Sequence, residues 1–97
     1  MRFEWDENKN RVNIRKHGFD FADVEDLFMG ILLARPDVRE DYEETRWTGI
    51  GMIRGRTAVV VFAERGPDTI RIISLRKANR YEREQFAKAL QDGLEAH

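Results

Sequence analysis

Hydrophobic spacing along the chain shifts from a helical period to a strand period about a third of the way in. Arg2 to Trp5 alternates, which puts Phe3 and Trp5 on one face of a short strand. Asp6 then stands where a helix cap belongs, its carboxylate placed to accept from the first unpaired backbone donors. Glu7 to Lys16 is polar, and Val12 and Ile14 give it only a weak apolar stripe before Gly18 stops the helix. Asp20 reads as a second cap, with Phe19 ahead of it spaced to staple onto Val24. Phe21, Val24, Leu27 and Phe28 continue that face until Gly30.

Ile31 to Ala34 opens a run of strands. Asp37 to Glu44 is an acidic connection, and Arg46 to Ile53 is the next strand. Arg54-Gly55 turns the chain into Thr57 to Glu64, whose two alternating sets of side chains are both apolar. That pattern fits a central strand covered on both sides. Arg65-Gly66-Pro67-Asp68 is a turn into Thr69 to Leu75. These links are too short for crossover helices, so the three strands should be antiparallel. Asn79 with Glu82 three residues on forms a capping box for a last helix, which would lay Phe86, Ala87 and Leu90 on the sheet. Gly93 to His97 reads as a frayed tail. The predicted order is β-α-α-β-β-β-β-α, an α+β fold in a single domain over residues 1–97.

Composition narrows the setting. There is no cysteine, so disulfide and thiolate chemistry are excluded. MRFEWDENK is too charged for a signal peptide, and the longest wholly apolar run, Ala58 to Ala63, is too short to span a bilayer. A soluble cytoplasmic chain without a membrane partner is the expectation. The net charge of −1 averages two unlike regions: residues 20–44 sum to −7 and residues 54–80 to +5. Thirteen of the seventeen basic residues are arginine, which favours directed, forked contacts with phosphate or carboxylate oxygens over diffuse attraction.

The candidate chemistry follows those arginines. RIISLRKANRYERE, from Arg71 to Glu84, carries a rigid apolar strand into a cluster of cations at a helix start. Simple alternation puts Arg71 and Arg76 on opposite faces, unless the strand bends or ends near Ser74. Arg76, Lys77 and Arg80 surround the strand-to-helix junction, where free backbone donors at Asn79 would add to an anion site. A solvated charged rim is the alternative. His17 ends the first helix beside Lys16, and an imidazole is a side chain suited to proton transfer, so it either moves a proton or bonds a terminal carbonyl. Glu44 beside Arg46 is either an oriented base or an ordinary ion pair. No zinc-ligand cluster, convergent carboxylate set or helix-turn-helix signature is present, and Gly49-x-Gly51 is too short for a nucleotide loop. Trp5 and Trp47 fit core packing better than base stacking.

Taken in order, FEWDENKNRVNIRKHGFDF, the D-x-R of Asp37 to Arg39, the Glu44-Thr45-Arg46 approach to a strand, and RIISLRKANRYERE resemble the BrnT family of ribonuclease toxins across residues 3–86. The resemblance implies a RelE-like fold: two N-terminal helices on a small antiparallel sheet with a C-terminal helix. It further implies metal-independent endoribonuclease activity on RNA, with no cofactor. Neutralisation would fall to a BrnA-like ribbon-helix-helix antitoxin, with operator DNA bound only through the toxin–antitoxin complex. The implied functional pattern falls on Lys16, His17, Glu44, Arg46, Arg71, Arg76 and Lys77; Arg80 joins from the charge cluster. Leu75 stands where the family usually has alanine, and Phe86 where tyrosine is common. The alternative class is a non-catalytic regulator that binds a partner protein and nucleic acid.

Overall fold

The central strand organises the chain. The computed structural model describes residues 1–37 and 44–95, in the order β1 (Arg2–Glu4), α1 (Glu7–His17), a 3-10 turn (Phe21–Asp23), α2 (Glu25–Met29), β2 (Leu33–Asp37), β3 (Arg46–Ile53), β4 (Arg56–Arg65), β5 (Thr69–Lys77) and α3 (Arg80–Glu95). The described strands form one sheet in the order β1-β5-β4-β3-β2. β4 lies in the middle, and Ala58, Val59, Val60, Phe62 and Ala63 are all buried, as its two apolar faces require. The pairs from β2 to β5 are antiparallel, and β1 adds on the far side of β5 as a parallel strand, making the sheet mixed.

One face of the sheet carries the core. Ala58, Val60, Phe62, Ile70, Ile72 and Leu75 meet Phe19, Phe21, Val24 and Leu27, with Phe3, Trp5 and Trp47 packed at the margin. Phe28 links this cluster through rings centred 5.1 Å from both Phe3 and Phe62. Gly49 and Gly51 are needed for packing: a Cβ on Gly51 would lie 2.6 Å from Leu27 Cδ2, and one on Gly49 2.9 Å from Leu32 Cδ1. The second N-terminal helix is shorter than its apolar spacing predicts. Asp20 caps the 3-10 turn through Ala22 N–H at 2.9 Å, and α2 proper begins only at Glu25.

α1 is docked by polar groups, contrary to the weak stripe read from Val12 and Ile14. Those two side chains are exposed, and the buried positions are Asn10 and Asn13. Asn10 accepts from Phe21 N–H at 2.9 Å and donates to Asp20 at 2.9 Å. Asn13 accepts from Leu75 N–H at 3.1 Å while its amide nitrogen donates to Leu75 O at 2.7 Å and Phe19 O at 3.0 Å. Two adjustments concern chain ends. β5 runs on through Lys77, and α3 continues through Glu95 where a tail was expected; residues 96–97 lie outside the described residues. The capping box forms as predicted, with Asn79 N–H donating to Glu82 at 2.9 Å and Glu82 N–H to Asn79 at 2.8 Å. α3 turns Phe86 inward, with Ala87 exposed.

Removing the Asn13 amide would strand three buried backbone groups, Leu75 N–H, Leu75 O and Phe19 O. Asn13→Ala should therefore destabilise the fold by about 2–3 kcal/mol, against less than about 0.5 for Val12→Ala. Urea unfolding of both variants checks this; equal losses would mean that Asn13 does not carry the docking of α1.

Candidate active site on the second sheet face

The sheet face opposite the core is where the predicted cations have to be sought. Arg46, Thr48 and Ile50 alternate with the core-facing Trp47 and Gly49, and across β4 they pair with Ala63, Val61 and Val59. Those residues in turn pair with Arg71, Ser74 and Arg76 on β5. Val61 is opposite Ser74, yet Phe62 is opposite Ile72, so Ile73 is an extra residue in β5. This β-bulge reverses the alternation. Arg71 and Arg76, which strict parity separates, thereby stand on one face.

Three cross-strand rows result. Arg71, Ala63, Arg46 and Asp37 form one, Ser74, Val61, Thr48 and Arg35 the next, and Arg76, Val59, Ile50 and Leu33 the third. Arginines from three strands therefore frame a floor of small and apolar side chains. A cleft of about 460 Å³ occupies this face, bounded by Arg35, Asp37, Thr48, Ser74, Arg76 and Glu82 among others. Arg35 was not among the sequence candidates. Its signal was the alternation of Leu33, Arg35 and Asp37, obscured by reading the strand two residues early.

Carboxylates set the electrostatics. Both terminal nitrogens of Arg76 lie 2.8 Å from Glu82 oxygens, a half-buried bidentate pair. The Arg76 guanidinium, with Asn79 N–H, holds the Glu82 carboxyl below its ordinary 4.5 despite the opposing cost of burial. At the other end Arg71 is 3.6 Å from Glu4, and Glu44 bonds Arg65 at 3.1 Å. These contacts are partly exposed and contribute little stability each. Glu44 thus pairs with Arg65, although Arg46 is its nearer arginine in sequence.

Lys16 and His17 approach from the sheet edge. They follow Asn13 by three and four residues, on the same side of α1. With Ile73 and Ser74 they border a cleft of about 380 Å³. Ser74 borders both clefts, so the His17 side and the Arg76 side meet there. Gly18, at φ 72°, closes α1 with its own N–H on Ile14 O at 2.8 Å, which leaves the cap to the backbone and not to His17.

The structure thus groups Lys16, His17 and Arg76 around Ser74, with Arg46 and Arg71 together one row beyond. Lys77 and Arg80 fall outside the group. Lys77 follows Arg76 in the strand and takes the opposite parity, and Arg80 is exposed and bonded to Glu84 at 3.0 Å. The donors of Asn79 and Glu82, expected to be open to an anion, are used within the capping box. Leu75 is fully buried in the core and Phe86 is buried without need of a hydroxyl. The D-x-R motif ends at Arg39, outside the described residues. Among the described residues no group of three His, Asp or Glu side chains is arranged to hold a metal ion, and no helix is long and apolar enough to cross a membrane.

Helical segments on one face of this sheet, with a C-terminal helix after its last strand, define a RelE-like toxin. The family described as ribonuclease toxin, BrnT, of type II toxin–antitoxin systems matches residues 5–82, and the chain belongs to it. Among solved structures it is similar to the ribonuclease toxin BrnT of Brucella abortus, at 33% identity and a TM-score of 0.64, over 82% of this chain and 99% of that one. No curated protein matches.

The Glu82 pair gives a pH signature. Its folded pKa is depressed, so its contribution to stability is complete above about pH 4.5 and is lost as pH falls through the lowered value. Glu82→Gln, which keeps an acceptor for Asn79 N–H, should flatten the loss of stability between pH 5 and about pH 3. Urea melts across that range test it, and an unchanged slope would mean that Arg76 does not hold the carboxylate in solution.

Proposed function

We propose that this chain is a metal-independent endoribonuclease whose active surface is the second sheet face. The observation that carries the reading is the bulge at Ile73, which sets Arg71 and Arg76 on the same sheet face as Arg46 and Arg35, with Ala63, Val61 and Thr48 between them. RNA phosphate would displace Glu82 from Arg76, exchanging one bidentate partner for another. The ribose 2′-hydroxyl attacks the adjacent phosphorus, His17 takes its proton, and the 5′-oxygen leaves, taking a proton from solvent water, to give a 2′,3′-cyclic phosphate and a 5′-hydroxyl. Arg76 offsets charge building on the nonbridging oxygens, and Arg46 and Arg71 hold the backbone as it continues along the sheet. Glu44, engaged by Arg65, is the second choice of base.

In the cell the same surface would be covered by a cognate BrnA-like ribbon-helix-helix antitoxin, and operator DNA would be bound only by that complex. The contrasting reading is a non-catalytic regulator that binds nucleic acid and a partner. It draws on the segregation of charge along the chain, −7 over residues 20–44 against +5 over residues 54–80.

Cleavage assays separate the two. Matched RNA and DNA strands in EDTA, with and without translating ribosomes, should show cleavage of RNA alone. Arg76→Ala should lower turnover about 10²- to 10³-fold, and His17→Ala about 10²- to 10⁴-fold, in folded protein. Cleavage of DNA or a requirement for added metal would contradict the mechanism. Binding without cleavage under every condition would favour the regulator.

A further inference from the structure

A second cavity opens beside the Arg76 cleft, under the first turn of α3. It encloses about 250 Å³, with Leu33, Ile50, Tyr81 and Gln85 around it. Arg35, Thr48 and Glu82 border both this cavity and the Arg76 cleft, so the two adjoin. The apolar floor is in register with the phosphate-facing arginine: Ile50 and Leu33 are second and third from Arg76 in their cross-strand row. At strand spacing, that floor begins about 10 Å from the Arg76 backbone.

Tyr81 distinguishes this cavity from an ordinary surface groove. Its side chain is 67% exposed and takes no place in the core, yet Gln85 Nε2 donates to its hydroxyl at 2.9 Å from one helical turn on. Tyr81 is thus an exposed aromatic ring outside the core, at the border of the cavity. Gln85 Oε1 and the Arg35 guanidinium supply an acceptor and donors nearby. An aromatic side chain and apolar residues lining one cavity, with amide and guanidinium groups beside the proposed phosphate contact, form the combination that holds unstacked bases of single-stranded RNA.

We propose that this cavity is a nucleobase subsite, in which a base of RNA held at Arg76 stacks on Tyr81 above Leu33 and Ile50 and presents its edge to Gln85 and Arg35. The subsite rests on the reading of the second sheet face as the RNA surface. It goes beyond that reading by assigning base recognition to residues outside the cleavage machinery.

The test measures binding, so it does not depend on turnover. Fluorescence anisotropy with the full chain would use a 2′-O-methyl oligoribonucleotide, which cannot undergo 2′-hydroxyl attack, and versions abasic at each successive position. Loss of the base at one position should weaken binding to the wild type roughly 5- to 150-fold. Tyr81→Ala should lose a similar factor on the intact strand and nothing further on that abasic strand, while Tyr81→Phe, which keeps the ring, should stay near wild type. Circular dichroism confirms that each variant is folded. If wild type and Tyr81→Ala respond alike to base removal at every position, the subsite is overturned. The surface reading then still stands provided Arg76→Ala weakens binding. Absence of RNA binding by the wild type, or indifference to Arg76→Ala, overturns the surface reading and the subsite with it. Tyr81→Ala reducing capture of a protein partner while RNA binding is unchanged would assign the cavity to that partner instead.

Discussion

The Asn13 carboxamide is the contact on which the arrangement depends. β1 pairs with β5 only as far as Arg71, so among the described residues the edge of β5 beyond it has no neighbouring strand. Asn13 supplies what a strand would, accepting from Leu75 N–H and donating to Leu75 O. Both groups are buried, and leaving them unpaired would cost more than the bonds contribute. The same helix face carries Asn10, which holds the start of the 3-10 turn. α1 is thereby fixed in rotation as well as position, and Lys16 and His17 come to lie beside Ser74. An apolar stripe, being non-directional, would not set the rotation of the helix so narrowly.

The bulge supplies the second constraint. One additional residue in β5 reverses the facing of everything on one side of it, so Ile72 and Leu75 both serve the core while Arg71 and Arg76 both serve the other face. β-bulges commonly re-aim side chains next to functional sites. The energetics favour reading these arginines through their placement. The Arg71–Glu4 pair is partly exposed, and the bidentate Arg76–Glu82 pair is half-buried and linked to the cap of α3. Such a pair orients the guanidinium, and it is open to exchange with another planar or tetrahedral anion.

Much of the frame was legible from local pattern. The central strand announced itself by having two apolar faces, and the Asn79–Glu82 box by its spacing. What stayed hidden was non-local or polar. Nothing in RIISLRKA marks Ile73 as unpaired, because a bulge is decided by the neighbouring strand, although a break near Ser74 was recognised as the condition for uniting Arg71 and Arg76. Asn10 and Asn13 do not register as a helix face when burial is sought in apolar residues. The partner of β1 could not be read, since parallel pairing leaves no turn signal. Lys77 and Arg80 were drawn in by proximity in sequence, whereas strand parity and exposure set them apart from Arg76.

The central claim, that the second sheet face receives RNA, is tested most directly by backbone amide NMR during titration with a 2′-O-methyl oligoribonucleotide. Shift changes should concentrate at Arg35, Thr48, Val61, Ser74 and Arg76 and extend round the sheet edge to Lys16 and His17. Changes confined to α2 and the Arg54–Gly55 turn, with the second sheet face silent, would contradict it.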